Sequence, residues 1–274
     1  MIIASKKETF RILNENQLIA KKGYGQNFLI NHEIIKTMVN SLGIKKDSLV
    51  IEIGPGLGAL TQELLEVATK VIAIEIDKNM VNVLKQNLNK ENLEIINDDI
   101  LKVNLNKIID DNNQFNEVII VSNLQYYITS DILEKIISLG NTKISKMVVM
   151  MQKEVGKKLI KKEDKIESYL KVLIDNYCDT RVVTYVSKND FEPRPNVDSI
   201  VLELLLNKDL YNLDEFFFYN LKECLKNRRK SITNTLPFLK EKIEEILNQC
   251  NIKTTIRVEE LTIEEFKKIV NKLK

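Results

Sequence analysis

From Leu49 to Leu206 the chain alternates short β-branched runs with amphipathic stretches, and few architectures can accommodate that alternation. Strand-length apolar runs separated by helix-length stretches predict strands joined by crossover helices in a mostly parallel sheet. Strands are predicted at Leu49–Ile53, Lys70–Glu75, Leu93–Ile96, Val118–Ser122, Lys146–Met151, Thr180–Val186 and Ser199–Leu206. Helices are predicted at Leu60–Ala68, Lys78–Asn89, Ser130–Leu139, Lys153–Lys161 and Glu167–Tyr177. Only a proline-containing loop, Phe191-Glu192-Pro193-Arg194-Pro195, separates the last two strands. It holds no crossover helix, so this pair is expected to run antiparallel at one edge. After Asn207 no β-branched run recurs and the apolar spacing turns helical through Phe216–Leu225, Ile243–Leu247 and Phe266–Leu273. The last of these has a start signal, Thr262 with Glu265 three residues on, the spacing of a capping box. The expected fold is an α/β, doubly wound sheet with an antiparallel edge strand in residues 1–207, followed by a small all-helical domain in residues 208–274. A chain of 274 residues with 44% hydrophobic residues supports cores of that size.

Residue counts remove several classes of chemistry. Cys178, Cys224 and Cys250 are far apart and odd in number, so reduced and mostly buried thiols are expected rather than disulfides. His32 is the single histidine, which excludes a histidine-based triad and a multi-histidine metal centre; no metal is expected. It falls in the first turn of a predicted helix, where an exposed or capping role is expected. The segment Met1–Glu8 lacks the apolar stretch and cleavage site of a signal peptide, and no run reaches the roughly 20 apolar residues of a membrane helix. A cytoplasmic protein is expected, monomeric because no heptad or large apolar surface stretch calls for a partner.

The net charge of +2 conceals an uneven distribution. Basic residues gather at Lys6, Lys7, Arg11, Lys21 and Lys22, at Lys153, Lys157, Lys158, Lys161 and Lys162, and at Lys226, Arg228, Arg229 and Lys230. Any one cluster reads most simply as a solvated helix face. Three of them predict a phosphate-binding surface, with Lys21, Lys22, Lys153, Lys157, Lys158, Arg228, Arg229 and Lys230 as its candidate nucleic-acid contacts.

The segment Glu52-Ile53-Gly54-Pro55-Gly56-Leu57-Gly58 follows a predicted strand and opens a helix. Glycines there permit a tight turn and close approach of a ligand to the backbone, and the helix N-terminus favours an anion. The same residues satisfy the dinucleotide fingerprint Gly-x-Gly-x-x-Gly/Ala, so the loop alone admits two cofactor classes. An acid ending the second strand, Glu75, suits ribose hydroxyls in either. Three further features favour S-adenosyl-L-methionine: Glu52, the pair Asp98-Asp99 after the third strand, and Asn123-Leu124-Gln125-Tyr126 after the fourth. All fall at carboxyl ends of strands, where open α/β sheets bind ligands. Glu75 is expected to chelate the ribose diol, Asp99 to accept from the adenine amino group, and the Gly54–Gly56 region to lie against the methionine part.

Together these motifs resemble the small-subunit ribosomal RNA adenine N6-dimethyltransferases almost from end to end. Lys21-Lys22-Gly23-Tyr24-Gly25-Gln26-Asn27-Phe28-Leu29 resembles the family's N-terminal signature and Glu52–Thr61 its cofactor loop. Met151-Gln152-Lys153-Glu154-Val155, the loop Phe191–Ser199, Arg228-Arg229-Lys230-Ser231 and Glu260–Phe266 resemble further family segments in the same order. The resemblance implies a Rossmann-like methyltransferase sheet and cofactor contacts from Asn27, Leu29, Gly54, Glu75, Asp99 and Asn123. It implies methyl transfer to N6 of two adjacent adenosines near the 3′ end of small-subunit ribosomal RNA, within an immature subunit. Two positions depart from the pattern: Gln125 stands where the family carries proline, and Ser168-Tyr169 where it carries a Tyr-Gly pair.

The adenine amino nitrogen is a poor nucleophile because its lone pair is delocalised into the ring. The Asn123 side-chain oxygen and the Leu124 carbonyl are the expected acceptors for its two N–H bonds, with Tyr126 stacking on one face of the base and Phe191 on the other. Competing readings are a large-subunit ribosomal RNA methyltransferase of the antibiotic-resistance type and a non-catalytic ribosome assembly or transcription factor on the same scaffold.

Overall fold

A computed structural model describes residues 2–19, 26–124, 128–161, 164–206 and 209–274. The chain divides into two compact units, Met1–Ile160 with Thr180–Leu206, and Lys161–Asp179 with Asn207–Lys274.

The first unit is built on seven strands: β2 (Ser48–Ile53), β3 (Lys70–Glu75), β4 (Leu93–Asn97), β5 (Glu117–Asn123), β6 (Ile144–Gln152), β7 (Cys178–Val186) and β9 (Ser199–Leu206). Their order across the sheet is β4-β3-β2-β5-β6-β9-β7. β2 pairs in parallel with both β3 and β5, and β6 in parallel with β5. β9 runs antiparallel to β6 and is hydrogen-bonded between β6 and β7, so the last two strand candidates do share one edge. Leu49, Val50, Ile51 and Ile53 of β2 are buried, as expected for a central parallel strand covered on both faces. Strand order reverses at β2, with β3 on one side and β5 on the other. A crevice therefore opens beyond the carboxyl ends of β2 and β5, the place where such sheets bind ligands.

Helices α1 (Lys6–Glu15), α2 (His32–Leu42), α3 (Ala59–Val67), α4 (Lys78–Asn87), α5 (Leu105–Asp111), α6 (Thr129–Ser138) and α7 (Lys153–Ile160) belong to this unit. The five crossover helices predicted from periodicity are present, with boundaries moved by no more than two residues. Two helices were not predicted, α1 and α5, and neither was a two-stranded sheet of β1 (Phe28–Leu29) with β8 (Phe191–Glu192). Ser5 caps α1 by accepting from the Glu8 N–H, a spacing visible in the sequence. Asn31, not His32, caps α2. His32 lies half-buried with Nε2 2.9 Å from a Glu63 carboxylate oxygen, a packed rather than exposed histidine.

The second unit holds α8 (Tyr169–Tyr177), α9 (Glu215–Lys226), α10 (Lys240–Gln249) and α11 (Ile263–Leu273). Its core gathers Val172, Phe217, Leu221, Ile243, Phe266 and Ile269. The boundary drawn from sequence at residue 207 leaves α8 with the sheet; in the structure α8 belongs to the helical unit. Tyr177 stacks on Phe218, and Asn176 donates to Asp209 while accepting from the Tyr211 N–H at 2.7 Å. Apolar periodicity reveals that a helix has a face to bury, not which partner buries it. Ser168, one of the two departures, is the N-cap of α8 and accepts from the Lys171 N–H, so the change supplies a helix start. The capping box of Thr262 and Glu265 opens α11 as predicted. All three cysteines are free thiols, two of them buried. Among the described residues no helix is long and apolar enough to cross a membrane.

Candidate active site

The register of the sheet assembles the crevice. Ile53 stands opposite Ile74 of β3 and Ser122 of β5, so the residues that follow or end these strands, Gly54, Glu75 and Asn123, meet at one end of the sheet. Two adjoining cavities share Gly54, Glu75, Asn123 and Leu124 in their walls. One is completed by Asn27, Leu29, Glu52, Gly56, Met38 and Phe191, the other by Asp98, Asp99, Ile100, Leu101, Ile128 and Ile132.

Gly54 has φ of 67° and donates its N–H to the Ile74 carbonyl at 2.9 Å. A Cβ built there would have no heavy atom within 4 Å, so the missing side chain opens the cavity wall. Gly58 has a different reason. It is the N-cap of α3 with φ of 91°, and a Cβ there would lie 2.6 Å from Leu88 and 2.8 Å from Leu84. One glycine leaves room for a ligand, and the other lets α4 pack against the loop.

Glu75 closes the loop from the neighbouring strand. Its two carboxylate oxygens accept from the Gly56 N–H at 3.1 Å and the Asp77 N–H at 2.8 Å. Burial pushes its pKa above the usual glutamate range, and the backbone donors oppose that shift. Each oxygen has a second lone pair, so the carboxylate retains acceptor capacity for a diol. Asp77 in turn accepts from Gln26, which ties the N-terminal signature to the carboxyl end of β3.

Glu52 is buried in the cavity wall, and its Oε2 has no hydrogen-bond partner among the described residues. Burial, partly offset by the Thr61 hydroxyl and reinforced by Glu75, raises its pKa to about 8 from the ordinary 4.5. The folded protein therefore holds a proton that the unfolded chain releases between those values. Stability is expected to fall as pH rises from about 4.5 toward 8 and to level off above. Glu52→Gln should remove this slope, of a few kcal/mol at most, while leaving stability near pH 4 little changed. Thermal unfolding of the ligand-free protein at pH 5, 7 and 9 measures it; parallel pH profiles for both proteins would contradict it.

Asn123 ends β5, and its Nδ2 donates to the Asn27 carbonyl at 3.4 Å, which leaves the amide oxygen as the acceptor end of the side chain. The Leu124 N–H donates to the Met150 carbonyl at 2.9 Å, extending the β5–β6 ladder by one residue and fixing the peptide that precedes the next carbonyl. Phe191 reaches this place through the two-stranded sheet, where Leu29 stands opposite Phe191 and Phe28 opposite Glu192. Its ring is buried in the cavity wall, so packing accounts for part of its role. Asn31 holds the same loop by donating to Asp190 at 2.9 Å.

The structure thus brings together Asn27, Leu29, Gly54, Gly56, Glu75, Asp99, Asn123, Leu124 and Phe191 in the walls of the two cavities. Tyr126, proposed as a stacking platform, and Gln125 lie outside the described residues, as do Lys21 and Lys22. Lys157 and Lys158 are exposed on α7, whereas Lys153 is half-buried, 3.6 Å from Asp198 and over the ring of Tyr185. In the helical unit Arg229 and Lys230 are exposed, while Arg228 is paired with Glu259 at 2.8 Å. Among the described residues no cluster of histidine, cysteine or acidic side chains could hold a metal ion. Sequence reasoning missed Ile3 and Thr9, which line the cavity from α1 and the residues before it. The Ser5–Glu8 cap signalled that helix, but nothing local signalled its destination.

Comparison with known proteins gives a consistent result. A family model described as ribosomal RNA adenine dimethylase matches residues 17–274. The chain is 37% identical to a protein of Oceanobacillus iheyensis named ribosomal RNA small subunit methyltransferase A, over 98% of this chain and 95% of the relative. A protein of the same name from Mesoplasma florum is 38% identical over 92% of this chain and 98% of its own length. The crystal structure of a dimethyladenosine transferase from Plasmodium falciparum superposes with a TM-score of 0.69 at 25% identity, covering 88% of this chain and 95% of that one.

Proposed function

The chain belongs to the ribosomal RNA adenine dimethylase family, and we propose that it methylates N6 of two adjacent adenosines near the 3′ end of small-subunit (16S) ribosomal RNA. The substrate on this reading is RNA within an immature small subunit in the cytoplasm. The methyl donor is S-adenosyl-L-methionine, which supplies an electrophilic methyl group when bound. The observation that carries the reading is the meeting of Gly54, Glu75 and Asn123 at the switch point of the sheet.

The residues present suit that cofactor. Gly54 leaves open a cradle that a side chain would fill, and Glu52 presents to the same cavity a buried oxygen that has no partner among the described residues. Glu75 would hold the ribose hydroxyls, Asp99 the adenine amino group, and Asn27, Leu29 and the Gly54–Gly56 backbone the methionine part. For the target base, the Asn123 amide oxygen and the Leu124 carbonyl accept the two amino hydrogens. They favour a more pyramidal nitrogen whose lone pair is free to attack, and no metal is needed for this. Tyr126 and Phe191 flank the ring. The target base must leave its stack, or already lie unpaired, to enter such a pocket.

The exposed cations of α7 and of the Arg228–Lys230 segment support a phosphate-binding role, with the helical unit as an RNA-binding domain. Replacing Arg229 and Lys230 by alanine should weaken RNA binding. It should also make the dependence of log K on log salt shallower by about 0.7–0.9 for each phosphate that is no longer neutralised. An unchanged slope removes these residues from the interface. The function itself is tested by methyl transfer from radiolabelled S-adenosylmethionine. Label should enter 16S RNA of unmethylated small subunits and not large subunits; label entering large-subunit RNA instead would overturn the assignment.

A further inference from the structure

The turn after β4 that carries Asp98 and Asp99 is wound by its own side chains. Asp99 N–H donates to the Asp98 carboxylate at 2.7 Å, and Leu101 N–H to the Asp99 carboxylate at 2.9 Å. The Asp99 carbonyl accepts from the Lys102 and Val103 N–H groups. Such bonds give the turn its shape but do not anchor it to the rest of the fold. The side chains of Ile100 and Val103 are buried, and a polar anchor comes from α6. Lys135 Nζ donates to the Ile100 carbonyl at 2.7 Å and to the Val103 carbonyl at 2.6 Å.

A surface lysine ordinarily extends its ammonium into water. Lys135 instead turns inward onto two backbone carbonyls, where partial burial lowers its pKa and the charges of Asp99 and Asp98 oppose that shift. Other lysines that donate to carbonyls do so away from the cavities: Lys143 reaches the Asn113 and Phe115 carbonyls at 3.5 and 3.3 Å, and Lys146 caps the end of α2 at Ser41 and Leu42 and is also paired with the buried carboxylate of Glu203. Lys135 grips a turn whose residues Asp98, Asp99, Ile100 and Leu101 line a cavity, with Ile132 of α6 in the same wall.

We propose that Lys135 is a positioning residue that locks the Asp98–Val103 turn onto α6, holding Asp99 and Ile100 at the wall that receives the adenine of S-adenosylmethionine. This rests on the assignment of Asp99 to the cofactor adenine. α6 comes next in the chain after the segment that begins with Asn123, so one lysine ties the wall of the cofactor cavity to the helix that follows that segment in sequence.

The test uses the full chain, with calorimetry against S-adenosylhomocysteine and steady-state methyl transfer to unmethylated small subunits. Lys135→Met should weaken S-adenosylhomocysteine binding about tenfold, the scale of one missing charge-assisted hydrogen bond. It should raise KM for S-adenosylmethionine similarly and leave kcat at saturating cofactor within about twofold. Lys135→Arg, which keeps two donors, should recover most of the affinity, and Lys135→Gln provides a milder variant should the methionine variant fold poorly. In an Asp99→Ala background the Lys135→Met effect should largely vanish, because the turn then has no carboxylate to present. Unchanged cofactor affinity in Lys135→Met or Lys135→Gln, whatever their melting temperatures, overturns the proposal, as does a fall in kcat alone. Failure of wild type to bind S-adenosylhomocysteine, or of Asp99→Ala to weaken it, would instead overturn the cofactor reading beneath it.

Discussion

Asn123→Ala is expected to lower methyl transfer by about 100- to 1,000-fold at saturating substrates, the range seen when one preorganised polar group facing a reacting centre is removed. Cofactor affinity should stay within about fivefold of wild type, because the proposed contacts of that ligand with Gly54, Glu75 and Asp99 come from other strands and remain in place. The reason lies in the end of β5. The Nδ2 group of Asn123 is spent on the Asn27 carbonyl, so the oxygen is oriented as an acceptor. Alanine removes both the acceptor and the bond that orients it. Asn123→Asp separates the two contributions: it keeps an acceptor but sets a carboxylate against the Asn27 carbonyl, so activity between wild type and alanine is expected. Single-turnover rates together with cofactor calorimetry measure both quantities. An alanine variant with wild-type rates would remove Asn123 from the chemistry.

Glu75→Ala should act on the other substrate, with cofactor affinity falling at least a hundredfold. The carboxylate is proposed to take both ribose hydroxyls, and charge-assisted hydrogen bonds contribute about 1.5–3 kcal/mol each. The same oxygens hold the Gly56 and Asp77 N–H groups, so truncation also frees the glycine loop from β3. A pH signature accompanies this effect. Because burial raises the pKa of Glu75, protonation on acidification sets in at higher pH than for an ordinary glutamate, and cofactor affinity should decline correspondingly early. Calorimetry between pH 5 and 8 with wild type and Glu75→Gln tests this; a variant with the same affinity and the same pH profile as wild type would contradict it.

How legible these sites were depended on distance along the chain. Gly54, Glu75, Asp99 and Asn123 each end or follow a strand, and a parallel sheet must place such ends together, so strand prediction alone located them. Phe191 and Asn27 were harder to place. Asn27 immediately precedes β1, whose Leu29 stands opposite Phe191 in a two-residue pairing with β8 that is too short to leave a periodic signal. α1 spells its own N-cap, yet that Ile3 and Thr9 wall the cavity depends on packing across more than forty residues of sequence. Lys135 reads in the sequence as one basic residue near the end of an amphipathic helix. Its two carbonyl partners sit more than thirty residues earlier, and no spacing rule connects them.

By itself the sequence determined the alternation of strand and helix, the turn glycines and the residue types at the strand ends. Those are set by hydrophobic periodicity, backbone sterics and chemical type, all of which act over a few residues. Tertiary structure alone decided that α8 joins the helical unit, that β9 inserts between β6 and β7, and that a lysine on α6 holds the turn bearing Asp99. Each of these depends on which distant surface an element buries or which distant carbonyl a donor reaches. Local periodicity reports that a face must be covered, and only the folded chain selects what covers it.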